Sequence, residues 1–160
     1  MDAARAGTVL SVTLVLATLV ATGPLVGVTA VGPSESGLGE GTATVEDVHL
    51  ATPLSMTPGR FGTGVVYLRI PDAGVELSAV EGRSRLVYRV AVPALGFDRV
   101  GTRTIATGRT RAAVEMSDRA FAPAAVNASR YRARVTVRVQ SFAIDRTVFD
   151  RNVTVEVRDG

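Results

Sequence analysis

The chain contains no cysteine, no tryptophan and no lysine, and only one histidine among its 160 residues. Without cysteine there is no disulfide framework, no thiolate zinc site and no cysteine nucleophile. The single histidine, His49, excludes a multi-histidine metal centre. Aromatic residues make up 5% of the chain, too few to furnish platforms for base stacking, so nucleic acid is not an expected partner. Neither a G-x-S-x-G elbow nor an Asp/Asn-rich calcium loop occurs. A hydrolytic nucleophile needs a neighbouring base, and His49 sits between Val48 and Leu50 in an extended stretch, as a strand-edge or surface histidine does. Paired carboxylates can do acid–base chemistry without histidine, but Glu46-Asp47, Asp145 and Asp150 fall on strands or turns and read as solvated residues. A non-catalytic chain with no metal and no cofactor is expected.

What is present is apolar and arginine-rich. The chain is 46% hydrophobic and 21% charged, the size and balance of one ordinary domain. All 18 basic residues are arginine, for a formal charge of +3, and valine (26) far outnumbers isoleucine (3). Residues 34–82 hold two arginines against seven acids, whereas residues 83–160 hold 15 against seven. Such asymmetry suits contact with an acidic partner and is silent on fold.

Much of the apolar excess sits near the N-terminus. Residues 6–31 carry no charge, and at about 1.5 Å per residue they are long enough to cross a hydrocarbon core of about 30 Å. One reading is a membrane anchor, with Arg5 on the cytoplasmic side and Glu35 and Glu40 beyond the bilayer. The other is a signal peptide, in which Thr8–Thr22 is the apolar core, Gly23-Pro24 breaks the helix, and cleavage follows Val28-Thr29-Ala30. The continuation of the apolar run past Pro24 favours the anchor. Either way the rest of the chain is expected outside the cytoplasm, as a single-pass domain or a secreted one.

Residues 32–41 (GPSESGLGEG) have the composition of a flexible linker. Gly37, Gly39 and Gly41 are not a phosphate loop, since no strand precedes them and no Lys-Ser/Thr ends them. From Thr42 onward the hydrophobic period is two. Expected strands are Thr42–Leu50, Val65–Ile70, Val75–Val80, Arg85–Val92, Thr102–Thr107, Thr110–Glu115, Arg130–Gln140 and Val148–Arg158, several divided by glycine or proline. In Arg130–Gln140, Tyr131, Ala133, Val135, Val137 and Val139 share one face, and Arg130, Arg132, Arg134, Thr136, Arg138 and Gln140 share the other. Residues 42–160 are therefore expected to form an all-β domain, an antiparallel β-sandwich of seven or eight strands behind one N-terminal hydrophobic helix.

The stretch Ala125–Val139 (AVNASRYRARVTVRV) resembles the approach to strand F of the immunoglobulin-like superfamily. The resemblance implies that Tyr131 is the corner tyrosine, two positions before the site where antibody domains place their second cysteine, here Ala133. Both cysteines and the core tryptophan of antibody domains are missing, which leaves a likeness to disulfide-free surface domains. The lysine-free β-rich domain behind an apolar N-terminus also resembles small membrane-anchored haloarchaeal envelope proteins of unassigned function. That likeness implies no catalytic residue.

Two features bear on function. Asn127-Ala128-Ser129 and Asn152-Val153-Thr154 match the N-glycosylation acceptor pattern. In the sandwich, the strand with Arg85 and Arg89 is expected beside the one with Arg130, Arg132, Arg134 and Arg138, so that their outer faces make one cationic surface with Arg158 adjoining. It suits an acidic envelope protein, an acidic glycan or anionic headgroups, since arginine makes planar bidentate contacts. A solvated face whose arginines pair with acids such as Glu156 is the simpler reading; in molar salt long-range attraction is screened within about 3 Å. The expected function is a structural or protein-interaction module of the cell envelope; the alternative is a secreted or anchored binding module for acidic glycans or acidic surface proteins through the arginine-rich face.

Overall fold

The computed structural model describes residues 38–60 and 64–158. The apolar segment 6–31, expected to be helical, and most of the 32–41 linker lie outside the described residues. Nine strands follow in order: β1 (Gly41–Leu50), β2 (Ser55–Pro58), β3 (Val66–Arg69), β4 (Ala73–Val92), β5 (Phe97–Ala106), β6 (Arg111–Val114), β7 (Arg119–Phe121), β8 (Arg130–Gln140) and β9 (Asp145–Val157). Short 3-10 turns at Pro93–Leu95 and Pro123–Ala125 begin with proline, whose fixed φ suits a first helical position. The all-β expectation is met. Among the described residues no helix is long and apolar enough to cross a membrane.

The period of two produces these strands. Along β8 the apolar set Tyr131, Ala133, Val135, Val137 and Val139 is buried while Arg130, Arg132 and Arg134 are exposed. Valine dominates such faces because its branched Cβ packs well on a pleated surface.

The largest departure from expectation is β4. Val75–Val80 and Arg85–Val92, expected as two strands, are halves of one 20-residue strand that runs through Gly82. Gly82 adopts φ +65°, and a Cβ there would collide with the Glu40 carbonyl oxygen. The glycine bends the strand where a side chain would block it, instead of ending it. The first half of β4 pairs with β1 on one edge and β6 on the other, and the second half pairs with β5 and β8. The bend folds the strand back: the buried Tyr88 hydroxyl donates to the Pro71 carbonyl at 3.1 Å.

Through its second half β4 belongs to a sheet of order β5-β4-β8-β9-β2-β3-β7. Its pairs are antiparallel except β2–β9, which is parallel at Ser55↔Glu156 and Met56↔Val157. Among the described residues nine strands and one parallel pair thus replace the seven or eight antiparallel strands expected; consecutive Ser55 and Met56 of β2 are both buried and β7 has three residues, so neither displays a period. The Phe97 and Phe121 rings meet edge-on, centroids 6.3 Å apart, bringing β5 and β7 together. The core gathers Leu86, Tyr88, Val90 and Val92 of β4, Val135, Val137 and Val139 of β8, Met56, Leu68, Val75 and Val114, all fully buried.

At the start of β8, Tyr131 is buried and its hydroxyl accepts the backbone N–H groups of Asn127 (2.8 Å) and Ala128 (3.0 Å). It also donates to Asn127 Oδ1 at 3.3 Å. These bonds fix the connection from the Pro123–Ala125 turn into β8.

Candidate functional site

Strands β4 and β8 are neighbours, and register places Ala91 opposite Arg134, Arg89 opposite Thr136, Val87 opposite Arg138 and Arg85 opposite Gln140. Residues directly opposite in an antiparallel ladder share a face. Arg85, Arg89, Arg134 and Arg138 therefore emerge on one surface, and Arg130 and Arg132 extend it along β8. The same register sets Glu156, Thr154, Asn152 and Asp150 of β9 opposite Arg130, Arg132, Arg134 and Thr136.

Most of the cations on this face are held by acids. Arg134 reaches Asp150 through Nε (2.9 Å) and Nη2 (2.6 Å). Arg89 grips Asp98 in the same two-pronged way, Nε to Oδ1 at 2.7 Å and Nη2 to Oδ2. Arg138 donates to Asp145 at 2.6 Å, and Arg130 stands 3.8 Å from Glu156. Arg85 donates to Gln140 Oε1 at 3.1 Å, whose amide in turn approaches Asp145 at 3.4 Å. The hydrogen bonds from the two guanidiniums hold the Asp98 and Asp150 carboxyls below the usual carboxylate range and push Arg89 and Arg134 up. The Arg89–Asp98 and Arg134–Asp150 pairs are solvent-exposed, so they order the surface more than they stabilise the fold.

Unfilled hydrogen-bonding capacity remains. Among the described residues Arg132 has no ion-pair partner, and the Nε donors of Arg85 and Arg138 are shielded from solvent with no acceptor. A groove of about 420 Å³ runs between the two-pronged pairs, lined by Arg89, Asp98, Arg134, Arg138 and Asp150 over Ala91 and Thr136. Each of its three guanidiniums is paired with a carboxylate, Arg89 with Asp98, Arg134 with Asp150 and Arg138 with Asp145. A second hollow of about 370 Å³ is lined by Arg132, Asn152, Val153 and Thr154.

Of the other residues singled out from sequence, Asn127 is exposed in the bend before β8, and Asn152 is exposed on β9 opposite Arg134. Arg158 lies just past β9, its N–H bonded to the Met56 carbonyl at 2.9 Å. His49 is an exposed residue of β1, 3.8 Å from Asp47, its ring against Gly74 of β4. Among the described residues no group of three His, Asp or Glu side chains is placed to hold a metal ion. Sequence reasoning named Glu156 as a cross-strand acid but missed Asp98 and took Asp145 and Asp150 for solvated or turn residues. Their roles depend on which strands pair and in what register, and only the period was visible.

No protein-family model matches this chain, and no curated protein does.

Proposed function

We propose that this chain is a non-catalytic module of the cell envelope, held at the membrane by residues 6–31 with its β-domain outside the cytoplasm. The domain docks an acidic protein partner through the outer face of β4, β8 and β9. The observation that carries this reading is the array of guanidiniums already fixed in place, with donor capacity left over at Arg132, Arg85 and Arg138. Arginines ordered before contact lose less side-chain freedom when an acidic group arrives. A polar sheet face with its charges ordered is also the kind that gives a docking register by charge complementarity. The domain is read as an immunoglobulin-like sandwich; in support, Tyr131 reaches back to the backbone three and four residues upstream, as a corner tyrosine does.

An acidic glycan on the same face is the second reading, favoured by the hollow that Arg132 shares with Asn152 and Thr154. One experiment separates the two. The full chain is purified from its own membranes before and after glycan digestion, as wild type and as Arg132→Glu. A protein partner that survives digestion and is lost with Arg132→Glu supports protein docking. Binding lost on digestion favours the glycan, and retention unchanged by Arg132→Glu overturns both uses of this face.

A further inference from the structure

The tip of the β8–β9 hairpin carries the most exposed large apolar side chain among the described residues, Phe142, 73% accessible. The tip is built to hold it there. Ser141 Oγ accepts the N–H groups of Ala143 (3.0 Å) and Ile144 (3.1 Å), and the Ser141 N–H donates to the Ile144 carbonyl at 2.7 Å. With its neighbours fixed and no core to enter, the ring points to solvent.

Its position is specific. The Phe142 N–H donates to the Gly39 carbonyl at 3.2 Å, so the tip lies against the point where the polypeptide enters the domain. The Arg83 stem packs beside Gly39. Arg83 and, on the β9 side of the tip, Arg146 have no acidic partner among the described residues. The nearby acids are Glu40, Glu81 and Asp145, and Asp145 is taken up by Arg138. An exposed aromatic ring on a tip that also carries arginines is a pattern of a surface that meets a bilayer: the ring enters the interfacial layer and the cations face anionic headgroups. From Val31 to Gly39 the chain spans at most about 29 Å when fully extended.

We infer that the Gly39–Phe142 end of the domain rests on the membrane, with Phe142 inserted at the interface and Arg83 and Arg146 against anionic phospholipid headgroups. This rests on the anchored reading proposed above and adds to it the orientation of the domain: the hairpin tip at the lipid and the start of β8, an 11-residue strand away, at the far end.

The absence of tryptophan supplies a direct test, because Phe142→Trp creates a sole tryptophan at an already exposed site. The full-length variant is reconstituted into vesicles of phosphatidylglycerol and phosphatidylcholine, with and without brominated acyl chains. Expected is a blue-shifted emission quenched at least twofold by the brominated lipid. Ala124→Trp, just before β8, is expected to stay unquenched, and the Phe142→Trp quenching is expected to weaken when Arg83 and Arg146 become glutamine. A chain that floats with the vesicles while Trp emission at position 142 matches that at position 124 overturns this orientation and leaves the anchor intact. A chain that does not float overturns the anchor itself and the inference with it.

Discussion

Arg134 of β8 holds Asp150 of β9 by two parallel hydrogen bonds, 2.9 and 2.6 Å, across one diagonal of the ladder. This lowers the Asp150 carboxyl below its ordinary range. A carboxylate so depressed contributes stability above the unfolded-state pKa, near 3.9, and loses it as pH falls through the lower folded value. In an NMR titration the Asp150 midpoint is expected below that of a free aspartate, returning to the ordinary range in Arg134→Gln. A midpoint that does not respond to the substitution contradicts the pairing.

Tyr131 is expected to matter through its hydroxyl as well as its ring. Tyr131→Phe keeps the buried ring but leaves the N–H groups of Asn127 and Ala128 without their acceptor. The expected cost is about 1–3 kcal/mol in denaturant unfolding. A loss within error of zero would mean that water replaces the hydroxyl and the corner is not a determinant of the fold.

Tyr88 makes the domain sensitive to alkali. Burial, aided by the charge of Asp72, pushes its hydroxyl well above the ordinary tyrosine value. A raised acid contributes stability that is complete below the unfolded pKa, about 10, and is lost as pH climbs toward the folded value, because the unfolded chain ionises first. Tyr88→Phe is expected to cost about 1–2 kcal/mol at neutral pH, through the orphaned Pro71 carbonyl, and to flatten the decline in stability above pH 10. Parallel stability curves for the two proteins in alkali would refute the assignment.

Gly82 is expected to be intolerant of any side chain. At φ +65° alanine is strained, and its Cβ would also strike the Glu40 backbone. Gly82→Ala should cost about 2 kcal/mol or more. Gly96→Ala is a useful control, because its φ is also positive (+60°) but a Cβ there meets nothing within 4 Å. Equal losses at both positions would remove the close crossing at Gly82 as the cause of the bend.

Most strand bounds were legible in the sequence. β8 matches its expected bounds, and β1, β3 and β6 lie within about a residue of theirs at each end. β5 begins five residues earlier than expected, since Asp98, Arg99 and Val100 are all exposed on an edge strand and break the alternation. In β2 consecutive Ser55 and Met56 are both buried, so it has no alternation to show, and β7 holds three residues. Gly82 reads as a break because glycine usually punctuates; that it bends a continuous strand follows from Glu40–Gly41 crossing it, a contact between distant parts of the chain. The arginine face was legible for the same reason as β8, through alternation on strands that turn out to be neighbours. Its neutralisation was not: Asp98 faces Arg89 only because the strand turns at Pro93–Leu95 and pairs Ala91 with Asp98.

The most direct test of the central claim uses the missing cysteines. A membrane-impermeant maleimide is added to intact cells carrying either Ala91→Cys, in the groove between Arg89 and Arg134, or Ala124→Cys, away from that face. The predicted result is rapid labelling at position 124, protection at position 91, and recovery of labelling at 91 once the chain is extracted in detergent and salt. Labelling of neither position until the cells are lysed would put the domain inside the cytoplasm, and equal labelling of both on intact cells would leave the arginine face without a partner.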